Sequence, residues 1–162
     1  MSSICLIDTS IFLEILNVPN YNQHRASVLE DFQTYVQSGC QFLLPMATIL
    51  ETGNHIAQNG DGRMRRKTAL HFVEQVKAAF NGEAPWQPTA FPDTKEILLW
   101  IDQFPDLAGR NKAPLKSEGT SFGDMSIIQE FHQNNTGCAK LRHFSAEREA
   151  ARGTSVPVLL KM

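Results

Sequence analysis

Ile4-Cys5-Leu6-Ile7-Asp8-Thr9-Ser10-Ile11-Phe12 is the stretch that decides the fold. Four successive apolar residues ending at an acid predict a short strand buried on both faces, as in a parallel sheet. Ile11, Phe12, Ile15 and Leu16 then recur at helical spacing as far as Pro19. Asp8 therefore stands at a strand-to-helix junction. In open α/β sheets such junctions form the carboxyl edge, where ligands bind.

The same alternation continues outward. Val28, Leu29, Phe32 and Val36 predict an amphipathic helix over residues 21–39, ended by Gly39. Phe42-Leu43-Leu44 reads as a second buried strand, followed by a helix over residues 49–58 and a turn at Asn59-Gly60-Asp61-Gly62. A helix over residues 63–80 leads to a proline-rich loop over 81–92, with a brief strand near 89–91. A helix over 93–104 follows, closed by Pro105. Residues 108–119 are polar and read as the most mobile segment. Residues 122–133 predict a helix, and 138–144 and 156–160 predict strands. Buried strands alternating with helices define an α/β domain with a mainly parallel sheet and right-handed crossovers.

The chain of 162 residues fits one domain, residues 1–162. Hydrophobic residues at 42% and charged residues at 20% exclude the composition of a disordered chain. Charge is uneven: residues 1–106 carry 7 basic and 12 acidic side chains, and residues 107–162 carry 8 and 5, which places a basic surface toward the C-terminal third. Cys5, Cys40 and Cys138 show no CxxC and no zinc-ligand spacing, so reduced structural thiols are expected. The N-terminus has no basic run ahead of its apolar residues, and the apolar stretch 42–50 contains Pro45 and Thr48. Neither reads as a signal peptide or a membrane span, and a cytoplasmic location is expected by elimination.

Four acids fall at predicted strand ends or helix starts: Asp8, Glu51, Asp124 and Glu147. Clustered carboxylates repel one another, and a hard divalent ion such as Mg²⁺ or Mn²⁺ suits all-oxygen ligands. Taken singly, each has a capping alternative: Thr48-x-x-Glu51 and Ser121-x-x-Asp124 match a capping box, and Asp8 is placed to be an N-cap. Acids that follow successive parallel strands face one crevice, and this coincidence favours a site. Glu147 lies in a charged stretch and reads equally as a surface residue.

At this point the chain resembles the PIN domain family, and VapC-type toxin ribonucleases within it. The matching segments are Ile7-Asp8-Thr9-Ser10-Ile11, Ala47-Thr48-Ile49-Leu50-Glu51 and Phe122-Gly123-Asp124-Met125-Ser126-Ile127. At the fourth position the family has Thr-x-Asp, and this chain has Ser145-Ala146-Glu147. The resemblance implies a three-layer α/β/α domain with a five-stranded sheet ordered 3-2-1-4-5 and metal-dependent RNA cleavage. It also implies a homodimer inhibited by an antitoxin. Asp8, Glu51, Asp124 and Glu147 would hold Mg²⁺ or Mn²⁺, and Ser10 and Ser145 would orient water or carboxylates.

Arg63-Met64-Arg65-Arg66-Lys67 is the densest basic run, a candidate contact for RNA phosphate through Arg63, Arg65, Arg66 and Lys67, or else a solvated helix face. Lys140, Arg142, Arg148 and Arg152 are the alternative phosphate contacts. His55, one turn beyond Glu51, reads as a packed or surface histidine rather than a base. No GxGxxG, GxxxxGK[ST] or GxSxG motif is present, which excludes the dinucleotide, P-loop and serine-hydrolase signatures. Two competing readings remain: a PIN-fold module that binds RNA or protein without cleaving, and a structural domain whose acids only cap helices.

Overall fold

The computed structural model describes residues 4–113, 116–134 and 142–144. Strand β1 (Ile4–Ile7) feeds helix α1 (Thr9–Ile15), and α2 (Arg25–Gln37) leads to β2 (Gln41–Leu44). Helices α3 (Met46–Gln58) and α4 (Gly62–Phe80) follow, then β3 (Trp86–Pro88) and α5 (Thr94–Ala108). A short β4 (Asn111–Ala113) and β5 (Lys116–Gly119) precede α6 (Phe122–Asn134) and β6 (Arg142–Phe144).

The main sheet has the order β3-β2-β1-β6, and all three of its pairings are parallel. This is the expected 3-2-1-4 arrangement of the parallel strands. Four strands of the expected five form this sheet among the described residues, and the fifth, expected over 156–160, lies outside them.

Side-chain alternation builds the layers. Cys5 and Ile7 of β1, Phe42 and Leu44 of β2, and Trp86 of β3 turn to one face, where they pack with Phe12, Val28, Ile49 and Ala79 from α1 to α4. Leu6 and Leu43 turn to the other face, against Ile127 and Phe131 of α6. Helix α5 joins this second layer through a Phe104–Phe122 edge contact at 5.2 Å and a Gln129-to-Gln103 hydrogen bond of 3.1 Å. The result is α/β/α.

Three local expectations change. Pro105 does not close α5, which runs to Ala108. Only one helical bond is lost there, and its would-be acceptor belongs to Ile101, which is exposed and open to water. The polar segment expected to be mobile forms the β4–β5 antiparallel hairpin, with Asn111 opposite Gly119. It docks on α5 because Gly119 has no Cβ: one there would collide with the Ala108 backbone. The brief third strand falls at Trp86–Pro88 rather than near 89–91, since burial of Trp86 beside Phe42 sets the register, and an edge strand tolerates Pro88.

The thiols expected to be reduced are also corrected. Cys5 in β1 and Cys40 just before β2 form a disulfide. Parallel pairing of β1 with β2 brings together two buried cysteines that lie 35 residues apart, a proximity no local spacing encodes. Cys138 lies outside the described residues. No helix among the described residues is long and apolar enough to cross a membrane.

Candidate active site

Asp8 is the residue that converts β1 into α1. It occupies the N-cap position with extended backbone, yet its side chain makes no capping hydrogen bond. Its carboxylate is thus not consumed by the helix it begins. The Ser10 hydroxyl donates to Asp8 Oδ2 at 3.3 Å, a long contact that orients more than it binds.

Glu51 lies in the second turn of α3, and the capping alternative fails for it. Helix α3 starts at Met46 with Pro45 as N-cap. Thr48 is fully buried and donates instead to the Ile7 carbonyl at 2.9 Å, tying α3 to the end of β1. Glu51 is therefore free of a capping duty, and Thr9 Oγ1 donates to Glu51 Oε2 at 2.8 Å. The other oxygen, Oε1, lies against Gly123, where a Cβ would collide with it. One carboxylate is gripped between the residue after Asp8 and the residue before Asp124.

Asp124 sits in the first turn of α6, where its backbone N–H donates to Ser121 Oγ at 3.0 Å. Ser121 thus caps the helix by its hydroxyl, the first half of the anticipated box. Asp8, Glu51 and Asp124 are each half-buried, open enough to meet a solute. The convergence of their segments is direct at Thr9–Glu51 and Glu51–Gly123. Among the described residues, no group of three or more His, Cys, Asp or Glu side chains is close enough to hold a metal ion as it stands. Ser145 and Glu147 lie outside the described residues, as do Lys140, Arg148 and Arg152.

The basic run does not border the acids. Helix α3 carries the chain away from the sheet edge, and Gln58 lies roughly 10 Å beyond Glu51 along its axis. Arg63, Arg65, Arg66 and Lys67 begin α4 at that far end, with Asp61 capping through its bond from Met64 N at 2.8 Å. Arg65 Nη1 donates to the Gly60 carbonyl at 2.6 Å, while Arg63, Arg66 and Lys67 are exposed. His55 packs on Tyr21, with ring centroids 5.1 Å apart.

Sequence reasoning missed Thr9, Gly123 and Glu130. Glu130 is buried on α6, and its Oε2 accepts from Met46 N at 3.2 Å and from the Thr89 hydroxyl. It thereby clamps the start of α3 and the end of β3 to α6. Burial pushes its carboxyl above the usual glutamate range, opposed by the bonds from Thr89 and Met46. The apolar surroundings Ser-Ile-Ile-Gln-Glu-Phe hinted that this acid faces the core, since Glu130 and Ile127 lie three apart on one helix face.

The fold is PIN-like. The crystal structure of VapC20 from Mycobacterium tuberculosis, a toxin that cleaves the sarcin–ricin loop, superposes with a TM-score of 0.53 and 12% sequence identity. The match covers 96% of this chain and 100% of that one. No family model and no curated protein matches the chain.

Proposed function

We propose that the protein is a metal-dependent endoribonuclease that hydrolyses RNA phosphodiester bonds, acting as the toxin of a toxin–antitoxin pair. The observation that carries this reading is the grip on Glu51: its two oxygens meet Thr9 and Gly123, the neighbours of Asp8 and Asp124. A carboxylate so held at a sheet's carboxyl edge, with no helix to cap, is a preorganised anion. The likeness in fold to a ribonuclease toxin points the same way.

The donor set fits a hard divalent cation, Mg²⁺ or Mn²⁺, because Asp8, Glu51 and Asp124 offer only carboxylate oxygens on half-buried sites. When bound, the ion supplies an activated water and charge stabilisation at phosphorus. Asp8 and Asp124 serve as its principal ligands, and Glu51 as ligand or water-holder. Glu147 belongs to the same proposal as an outer or second-ion ligand. Thr9 fixes the rotamer of Glu51, Ser10 steadies Asp8, and Ser145 is assigned the corresponding hydroxyl beside Glu147. RNA phosphate contact by Arg63, Arg65, Arg66 and Lys67 is part of the proposal, at a distance from the cleaved bond. An antitoxin protein and a second copy of the chain are its expected partners, and α5 exposes Leu98, Leu99 and Ile101 as apolar surface for a protein contact.

The test is cleavage of single-stranded and structured RNAs by purified protein with Mn²⁺ or Mg²⁺. Turnover that EDTA stops is the expected result; inactivity on every RNA with both ions sinks the enzyme reading. A binding module without cleavage is the second reading. It is favoured by the fourth position, where Ser145-Ala146-Glu147 departs from the family's Thr-x-Asp.

A further inference from the structure

Helix α5 has two apolar faces, and the fold uses one of them. Trp100, Phe104 and Leu107 share the inner face, where Trp100 is buried and Phe104 meets Phe122 of α6. Thr94, Ile97, Leu98, Ile101 and Pro105 recur at i, i+3, i+4, i+7 and i+11 and so form a second stripe that carries no charge. Leu98 is 56% exposed and Ile101 50%, and Phe91, 67% exposed, stands just ahead of the helix. Helix α2 shows the ordinary pattern instead, with Ser27, Glu30, Gln33 and Gln37 facing water. An apolar stripe of this kind left in water marks a contact surface.

The charges beside the stripe say what covers it. Lys95, Asp102 and Asp106 are exposed and recur at i, i+7 and i+11 along one flank, while the other flank leads into the packed Trp100 and Phe104 side. In an antiparallel pair of helices like flanks meet, and the charges there set orientation. With a two-fold axis between Leu98 and Ile101, position 95 of one copy falls midway between positions 102 and 106 of the other, roughly 3 Å along the axis from each. Each Lys95 then stands between two carboxylates, once in each copy. A parallel pair would set this charged flank against the uncharged one. The antiparallel alignment also brings Thr94, a hydroxyl donor, to the level of Pro105 in the other copy, where the Ile101 carbonyl has lost its helical bond.

We propose that the outer face of α5 is the surface on which a second copy of this chain docks, as an antiparallel α5–α5 pair with Leu98 and Ile101 at its centre and Lys95 of each copy between Asp102 and Asp106 of the other. The stripe is self-complementary, as a two-fold interface requires: its apolar centre meets the same apolar centre, and its one flank of mixed charge meets itself reversed. The inference rests on the proposed function only for the expectation of a second copy, and RNA cleavage plays no part in it.

The experiment is sedimentation equilibrium of the purified full chain. A monomer–dimer equilibrium is expected for the parent protein. Ile101→Glu, which puts a charge at the centre of the stripe, should raise the dissociation constant by about 30-fold or more, with the unfolding temperature reporting that the variant is folded. Two surface variants then test the register. Lys95→Glu alone, and Asp102→Lys with Asp106→Lys, each set like charges together and should each weaken self-association. Mixed in equal amounts, the two should form one-to-one heterodimers, because every contact is again between opposite charges. The proposal is overturned by a parent protein that stays monomeric at the highest concentration reached, by a dimer that Ile101→Glu leaves intact, or by charge variants that do not associate on mixing. A face covered by another protein, or by residues 145–162 of the same chain, gives the first of these results. Absence of RNA cleavage with Mn²⁺ and Mg²⁺ would sink the ribonuclease reading and leave the association equilibrium untouched.

Discussion

Thr9 and Glu51 are 42 residues apart in sequence and joined by a 2.8 Å hydrogen bond, hydroxyl to carboxylate, across the α1–α3 contact. The bond links the segment of the first acid to the second without using either as a helix cap. Thr9 is buried, so its hydroxyl has little water to turn to, and Glu51 holds one rotamer in consequence.

Thr9→Val keeps the shape and removes the donor. Stability should fall by about 1 kcal/mol, the ordinary net worth of such a bond. Turnover should fall further, by roughly 10- to 100-fold, as for partners that orient metal ligands. Thermal unfolding and RNA cleavage measured on the same preparation separate the two effects. Full activity in the variant would show that Glu51 needs no orientation.

Gly123→Ala sets helix propensity against packing. Alanine in a helix is favoured over glycine by about 1 kcal/mol. Here the added methyl collides with Glu51 Oε1, and overpacking costs about 1–3 kcal/mol. The variant should therefore be no more stable than the parent and should lose Mn²⁺ affinity, read by calorimetry. Adding Glu51→Asp, which shortens the carboxylate, should return part of the stability. A Gly123→Ala protein that is more stable and still binds Mn²⁺ contradicts the contact.

Glu130 gives the chain a pH signature. Its folded carboxyl titrates above the ordinary value of 4.5, so between that value and the folded one the native state holds more protons than the unfolded state. Stability is then full below the unfolded value and declines as pH rises through the folded one. Glu130→Gln, which cannot ionise, should flatten this decline in urea titrations run across the acid range. An identical pH profile in the variant removes Glu130 as its cause.

The layers were legible because burial is written locally. Ile4–Ile7 and Phe42–Leu44 are apolar runs too short for helices, and Val28 and Phe32 recur at helical spacing. That the segments carrying Asp8, Glu51 and Asp124 meet, through Thr9–Glu51 and Glu51–Gly123, was legible because parallel connectivity fixes which strand ends share an edge. What depends on pairing across the sheet was not legible. The Cys5–Cys40 bond, the Thr9–Glu51 bond and the Glu130 clamp each need the register of segments 35 or more residues apart. The β4–β5 hairpin escaped for another reason: its polar side chains carry no alternating apolar pattern, and its docking depends on Gly119 meeting the Ala108 backbone.

Asp8→Asn and Asp124→Asn test the proposed chemistry most directly. Each change removes one negative charge at nearly constant volume, and both residues are half-buried, so the fold should survive. Asp8 makes no side-chain capping bond to α1, and the capping bond at the start of α6 runs from the Asp124 backbone N–H to the Ser121 hydroxyl. A purely capping role would therefore predict little change beyond stability. A ligand role predicts that RNA turnover falls below detection in each variant while unfolding temperature stays within a few degrees, and that Mn²⁺ affinity falls with it. Because the residues act as one unit, the double variant should be no worse than either single one. Retention of cleavage in both single variants, with the metal present, would mean that the acids at the ends of β1 and the start of α6 do not carry the reaction.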